Sequence, residues 1–441
     1  MEQSYEVRKW NPKSPVKVTV PGSKSITNRA LMLAAISEKT CVLEGVLFSD
    51  DSRAFLSCLT ELGFHVLVEE ENKRVTIKGE GGNIPNRKAA INVRSAGTAA
   101  RFLTVMLALA GGDYELQSSA QMAKRPMQPL LSVLEQGGAV FEYLGEEGHF
   151  PFRMHAHDLH LKQVEIDTSL SSQFASALLM AGSLLPGGLK ITMTGSRTAG
   201  SYIQMTLAMM KQFGMTVKEE NAGTADQEQP VRAYDIPGKQ RFGLERYPVE
   251  PDLSGAAYFY SLALLFGVDV LVQGVHRPSL QGDMRYVELL AKLGAHMEDT
   301  EEGLWLRGNG LTHYPGIRVD MKDFSDQTMT LAAVSVFADS LTEIVNIGHI
   351  RFQESDRMAA ILTELTRMGI RCEEMKDEEG IRIYPGEPEP ARIQTYEDHR
   401  MAMAFTLIGM RAGGMVIDHP ECCAKTFENY FDVIDSLYET F

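Results

Sequence analysis

Cysteine is scarce in this chain: five among 441 residues, at Cys41, Cys58, Cys372, Cys422 and Cys423, with no CxxC spacing. That argues against a disulfide framework or a thiolate zinc site and suits a reducing cytoplasm. Long apolar runs are missing too. No stretch approaches the roughly 18 uninterrupted apolar residues of a membrane span, and ALLMAGSLL at 177–185 is a buried helix candidate at most. The opening MEQSYEVRKW has no apolar core of the kind a secretory leader carries, so a cytoplasmic location is expected. Positive charge is in deficit, with 43 Lys and Arg against 58 Asp and Glu for a net charge of −15. Such a balance disfavours general nucleic-acid binding. Any anion must then be met by local clusters, and concentrated Lys and Arg become informative.

What is present is a soluble composition, 44% hydrophobic and 23% charged, on a length that suits two domains of roughly 200 residues each. A repeat runs through it. Five amphipathic helix patterns each stop at a glycine before a short alternating strand pattern: ELGFHV at Gly63, QGGAVF at Gly138, QFGMTV at Gly214, KLGAHM at Gly294 and RMGIRC at Gly369. Glycine there is the expected left-handed helix cap. The stops are 75, 76, 80 and 75 residues apart, which implies a repeated supersecondary unit. FENYFDVIDSLYETF reads as the last helix of a sixth unit, completed by an N-terminal strand around Tyr5 to Trp10.

Each unit also carries an earlier, more apolar helix, opening SKSITNRALMLAA, SAGTAARFLTVML, SLSSQFASALLMA, DLSGAAYFYSLALL, FSDQTMTLAAVSVF or YEDHRMAMAFTLI. Near all-round hydrophobicity predicts that these six are buried. Their first turns present unpaired N–H groups, and they carry Lys24, Arg29, Arg101, Gln173, Asp326, His399 and Arg400. Six such mouths converging would bind anions. For any one helix, a plain cap is the blander reading. The polar stretch 218–252 suits a crossing between halves, as does Pro21-Gly22, which places one domain at 21–245 and the other at 1–20 plus 246–441.

Laid out in order, PGSKSITNRAL, SAGTAARFL, KRPMQPLL, SLSSQFASALLMA, VEPDLSGAAYF, QGD at 281–283, the Asp326 helix, QESDRM, TYEDHRMAMAF and CAKTF resemble the EPSP synthase family over nearly the full length. The resemblance implies an α/β fold of two similar domains, each of three β-α-β-α-β-β units. Buried helices are surrounded by sheets and outer helices in an inside-out α/β barrel, with the active site in the interdomain cleft. It implies transfer of the enolpyruvyl group of phosphoenolpyruvate to the 5-hydroxyl of shikimate 3-phosphate, releasing phosphate through a tetrahedral adduct. The implied partners are these two small molecules, with no cofactor or metal, no nucleic acid, no membrane, and a monomeric chain.

The same resemblance assigns roles. Lys24 bridges both substrates and is a candidate acid; Ser25 and Arg29 hold the shikimate moiety. Gly97 packs against phosphoenolpyruvate, and Arg125, Arg357, Arg400 and Lys425 grip it; guanidinium forks suit carboxylate and phosphate. Ser171, Ser172 and Gln173 hold the shikimate phosphate, with Gln173 reaching phosphoenolpyruvate. Asp326 accepts the hydroxyl proton and also touches the acceptor, and Glu354 manages the proton at the methylene carbon. Opposed roles require different surroundings for the two carboxylates. Blander readings stand beside these: Asp326 as an N-cap, Glu354 in a capping arrangement, Arg101 as support for the glycine turn, His399 as a second-layer hydrogen-bonder, and Cys422 and Cys423 as packing residues.

Four positions depart from the common pattern. Ser95 stands for an asparagine, Ala199 for a serine (with Ser196, Thr198 or Ser201 as substitutes), His349 for an asparagine, and Gln353 for a lysine. The last three fall on the shikimate side, where His349 and Gln353 are still expected to contact the acceptor. The alternative enzyme is the related carboxyvinyltransferase acting on UDP-N-acetylglucosamine, which shares the fold and donor; it normally has a cysteine where this chain has Ala120, which argues against it. A non-catalytic module for phosphorylated metabolites is the other alternative, and the presence of both Asp326 and Glu354 argues against it.

Overall fold

In the computed structural model, which describes residues 4–195, 200–221, 232–311 and 313–439, the chain forms two compact units. One comprises residues 22–249, the other residues 1–21 with 250–441.

In the unit of residues 22–249, helices Lys24–Ile36, Gly97–Ala110 and Ser172–Ala181 are buried almost throughout, as their all-round apolar sequences require. Helices Asp50–Glu61, Gln128–Gln136 and Ser201–Gln212 bury one face only. Gly63, Gly138 and Gly214 follow them with φ of +85°, +100° and +88°, the left-handed turn that glycine adopts without a Cβ penalty. Three four-stranded sheets complete the unit. Each has one parallel pair at an edge and two antiparallel pairs, as in Lys88–Asn92 beside Gly112–Gln117, then Phe152–Ala156, then Val140–Tyr143. The edge strand of the first sheet is Arg246–Pro248, parallel to Thr40–Glu44. Residues 246–249 therefore pack with this unit, a few residues beyond the crossing that composition alone suggests.

The other unit repeats the pattern. Helices Leu253–Phe266, Thr328–Ser335 and His399–Ala412 are buried, and Met284–Lys292, Arg357–Arg367 and Tyr430–Glu439 are amphipathic. Gly294 and Gly369 again have positive φ, +129° and +75°. Two sheets have four strands and one has three, the last being Ser4–Val7, Met415–Asp418 and Ala391–Ile393. The N-terminal strand stops at Val7, earlier than its pattern suggests, where its partner strand begins at Met415; beyond it Trp10 is buried and donates from Nε1 to the Leu437 carbonyl at 3.0 Å. The FSDQTMTL helix opens with a 3-10 turn, Ser325–Gln327, before Thr328. That turn matters because it carries Asp326. Among the described residues no helix is long and apolar enough to cross a membrane.

Candidate active site

The mouths of the three buried helices in residues 22–249 are stitched together by side chains. Lys24 is the first residue of its helix, and its Nζ lies 3.4 Å from Oδ2 of buried Asp51. Asn28 Nδ2 donates to Thr98 Oγ1 at 2.6 Å, joining the first helix to the mouth of the second. Arg101 Nη1 donates to the Gly97 carbonyl at 3.1 Å and to Gln173 Oε1 at 3.2 Å, joining the second mouth to the third. Arg101 therefore supports the glycine turn, as the blander reading holds. Ser171 caps the third helix, accepting from the Gln173 N–H at 3.2 Å, and Ser172 is buried beside it.

Gly97 marks a close approach. A Cβ on it would lie 2.5 Å from both Arg101 Nη1 and Arg125 Nη1. The missing side chain lets two guanidiniums meet over a helix N-terminus, a concentration of positive charge suited to an anion. Arg125 Nε is buried with no hydrogen-bond partner among the described residues.

Arg29 is more deeply placed than a surface cation. It donates to Thr206 Oγ1 at 2.8 Å, Ser176 Oγ at 3.2 Å and the Ser25 carbonyl at 3.0 Å, and it lies over the Phe102 ring. Burial pushes its guanidinium down to about 10. The surface salt bridge that a helix-mouth arginine ordinarily makes is absent from its described contacts, since it is 1% exposed.

In residues 250–441 the centre is Arg357, also 1% exposed. Its Nε and Nη2 meet Oδ2 and Oδ1 of Asp398 at 2.7 and 3.3 Å; Nη2 also meets Glu354 Oε2 at 2.8 Å, and Nη1 meets Asp326 Oδ1 at 3.1 Å. Nη1 further donates to Gln353 Oε1. Burial works against the guanidinium's charge, but Asp398, Glu354 and Asp326 outweigh it and hold Arg357 above its ordinary value. Arg400 Nη2 donates to Asp326 Oδ2 at 3.0 Å and to Ser254 Oγ at 3.3 Å. Lys425 Nζ stands 3.8 Å from Glu354 Oε1. Asp326, Glu354, Arg357, Arg400, Lys425 and Gln353 are thus one cluster, with His349 at its edge through Ser325 Oγ, 2.7 Å from Nε2.

Two blander readings give way, and that of Cys423 holds. Asp326 does not hold a cap position: Phe324 and Gln327 do, and the Asp326 carboxylate accepts from two arginines. Asp356, not Glu354, caps the next helix, accepting from the Ala359 N–H. Cys423 is buried, its thiol pushed well up by burial, and so behaves as a packing residue. Ser196, Thr198 and Ala199 lie outside the described residues.

Other partners escape motif reading. Asp398 carries a readable signal, an acidic cap before HRMAMAF, and it does cap that helix through the Arg400 N–H at 3.0 Å. Its clamp on Arg357 has no signal, because the two are 41 residues apart. Asp51 lies outside every motif, and Asn28, Thr98 and Asp283 lie inside motifs that assign them no partner. Among the described residues no group of His, Cys, Asp and Glu is arranged to hold a metal. The chemistry these clusters offer is two carboxylates in unlike settings among cations suited to anionic substrates.

Comparison with known proteins accords with this. The family model described as EPSP synthase (3-phosphoshikimate 1-carboxyvinyltransferase) matches residues 13–434. The 3-phosphoshikimate 1-carboxyvinyltransferase of Nostoc punctiforme is 37% identical over 97% of each chain. That of Shewanella amazonensis is 39% identical over 95% of this chain and 96% of its own. An EPSP synthase structure from Acinetobacter baumannii superposes with a TM-score of 0.78 at 26% identity, covering 99% of this chain and 98% of the other.

Proposed function

The chain belongs to the EPSP synthase family, and we propose that it performs that family's reaction through the two clusters described above. It transfers the enolpyruvyl group of phosphoenolpyruvate to the 5-hydroxyl of shikimate 3-phosphate, giving 5-enolpyruvylshikimate 3-phosphate and phosphate. A proton adds to the methylene carbon, C2 becomes electrophilic, and the acceptor oxygen bonds to C2 as its proton leaves. The tetrahedral adduct then loses a methyl proton and phosphate, restoring the double bond.

The observation that carries this reading is the pair of carboxylates, Asp326 and Glu354, on one buried guanidinium, Arg357. They differ in their other partners. Asp326 meets a second guanidinium, Arg400, while Glu354 meets the ammonium of Lys425. Asp326 takes the hydroxyl proton and Glu354 manages the proton at carbon. Arg125, Arg357, Arg400 and Lys425 neutralise the phosphoenolpyruvate anion, with Gly97 leaving room for it. Ser171, Ser172 and Gln173 hold the shikimate phosphate, assisted by Ser25, Arg29, His349 and Gln353. Lys24 serves both substrates.

The two compact units are the two domains of this reading, built as inside-out α/β barrels with crossings at Pro21-Gly22 and near Val249. The protein works as a cytoplasmic monomer, and the reaction draws on residues of both domains. Its test is phosphate release from phosphoenolpyruvate by the purified chain. Release that requires shikimate 3-phosphate supports the assignment; release with UDP-N-acetylglucosamine, or with no acceptor, overturns it.

A further inference from the structure

Asp283 occupies the N-cap position of helix Met284–Lys292, yet its carboxylate makes no cap bond. Instead Oδ1 accepts from Gln327 Nε2 at 2.7 Å, and Gln327 Oε1 accepts from Thr330 Oγ1 at 2.9 Å. Asp283 is 6% exposed, Gln327 and Thr330 not at all. Gln327 also closes the Ser325–Gln327 turn, its N–H donating to the Phe324 carbonyl at 3.0 Å. The residue that Asp283 holds is therefore the immediate neighbour of Asp326. A buried carboxylate whose described side-chain donor is one neutral amide is costly to keep ionised.

The setting of Asp326 supplies a purpose. A carboxylate between the guanidiniums of Arg357 and Arg400 is held ionised and is a poor base. Taking a proton from a hydroxyl needs the opposite bias. A buried negative charge nearby raises proton affinity, and in a low-dielectric interior its influence is weakly screened. The influence is mutual: burial first, and then the charge of Asp326, push the Asp283 carboxyl up to about 6, with Arg400 pulling against them. The charged groups facing this pair are Arg357 and Arg400 from two helices, and Asp252 at the cap of Leu253–Phe266.

We propose that Asp283 is a positioning residue for Asp326: through Gln327 it fixes the turn that carries Asp326, and its buried charge keeps Asp326 basic between two arginines. This rests on Asp326 as the base in the reaction proposed above.

The test is the pH profile of kcat with both substrates saturating. Asp283→Asn keeps an acceptor oxygen for Gln327 and removes the charge. Its acid limb is expected to move down by about one pH unit, and its plateau kcat to fall about tenfold, as a weakened base requires. Gln327→Met reaches the same end by another route, since Asp283 without its donor is driven towards the neutral form; its limb moves the same way. It also replaces Asp283→Asn should that variant fail to fold. An unmoved limb overturns the proposal even where kcat falls at every pH, because a purely structural role does not retune the base. Asp326→Ala separates the two readings. If it destroys turnover while the limb stays fixed in the other variants, only the role of Asp283 fails; if it retains turnover, Asp326 is not the base and both fail.

Discussion

Arg357 and Asp398 form a bidentate ion pair with almost no exposed atom: Nε to Oδ2 is 2.7 Å, Nη2 to Oδ1 is 3.3 Å, and the side chains are 1% and 0% exposed. Asp398 also caps the helix that begins His399-Arg400. One carboxylate thus holds two of the three arginines proposed to grip phosphoenolpyruvate, Arg357 by its guanidinium and Arg400 by its backbone N–H.

Removing that carboxylate leaves a guanidinium buried with its main partner gone. Asp398→Ala is expected to lower stability by about 3–5 kcal/mol, read as a fall in the urea midpoint. A double variant, Arg357→Met with Asp398→Leu, should recover part of the loss, because it removes both charges together. No recovery would mean that the pair is not the source of the effect.

Gly97→Ala should alter function more than folding. Its Cβ would meet the ends of two long side chains, Arg101 Nη1 and Arg125 Nη1, each at 2.5 Å. Those ends can shift at little cost to the fold, but they no longer meet at the helix mouth. The KM for phosphoenolpyruvate is expected to rise tenfold to a hundredfold, with the thermal midpoint nearly unchanged.

Gln353 accepts a hydrogen bond from Arg357 where the resemblance places a lysine. Gln353→Lys removes that acceptor and adds a cation on the side expected to face the shikimate phosphate. One charge-assisted bond contributes about 1 kcal/mol or more, so steady-state kinetics should show the KM for shikimate 3-phosphate falling about fivefold. An unchanged or higher KM would take Gln353 out of the acceptor contacts.

Asp283 also predicts a stability signature. Its folded value near 6 lies above the ordinary 3.8, so the folded state binds more protons between those values and stability falls as pH rises through them. Asn carries no such penalty. The stability of Asp283→Asn relative to the unaltered protein should grow in favour of Asn between pH 4 and pH 7, by up to about 3 kcal/mol. Denaturant titrations at the two pH values measure it.

Much of this protein is written in short stretches. GTAARFLTVMLALA can only be a buried helix, and the glycines after the amphipathic helices can only end them, because periodicity and φ preference act over a few residues. Those local rules determined six buried and six half-buried helices and the turns between them. Many of the motif residues were legible for the same reason, since Lys24, Gly97, Ser171, Arg357 and Arg400 stand at the mouths of helices whose starts are a local matter.

Tertiary structure decided which of these residues touch. Gln327 meets Asp283 across 44 residues, and Arg400 meets Ser254 across 146. No local preference encodes such pairs, since they follow from how helices and sheets stack. The burial of Arg29, the bond of Trp10 to Leu437, and the pairing of Arg246–Pro248 with Thr40–Glu44 were settled the same way. Sequence determined that two carboxylates and several cations sit at or near the ends of helices and turns. Packing alone decided that Asp326 and Glu354 share one buried guanidinium and that Asp283 lies behind the first of them, because the electrostatics of a buried group depend on neighbours brought from elsewhere in the chain.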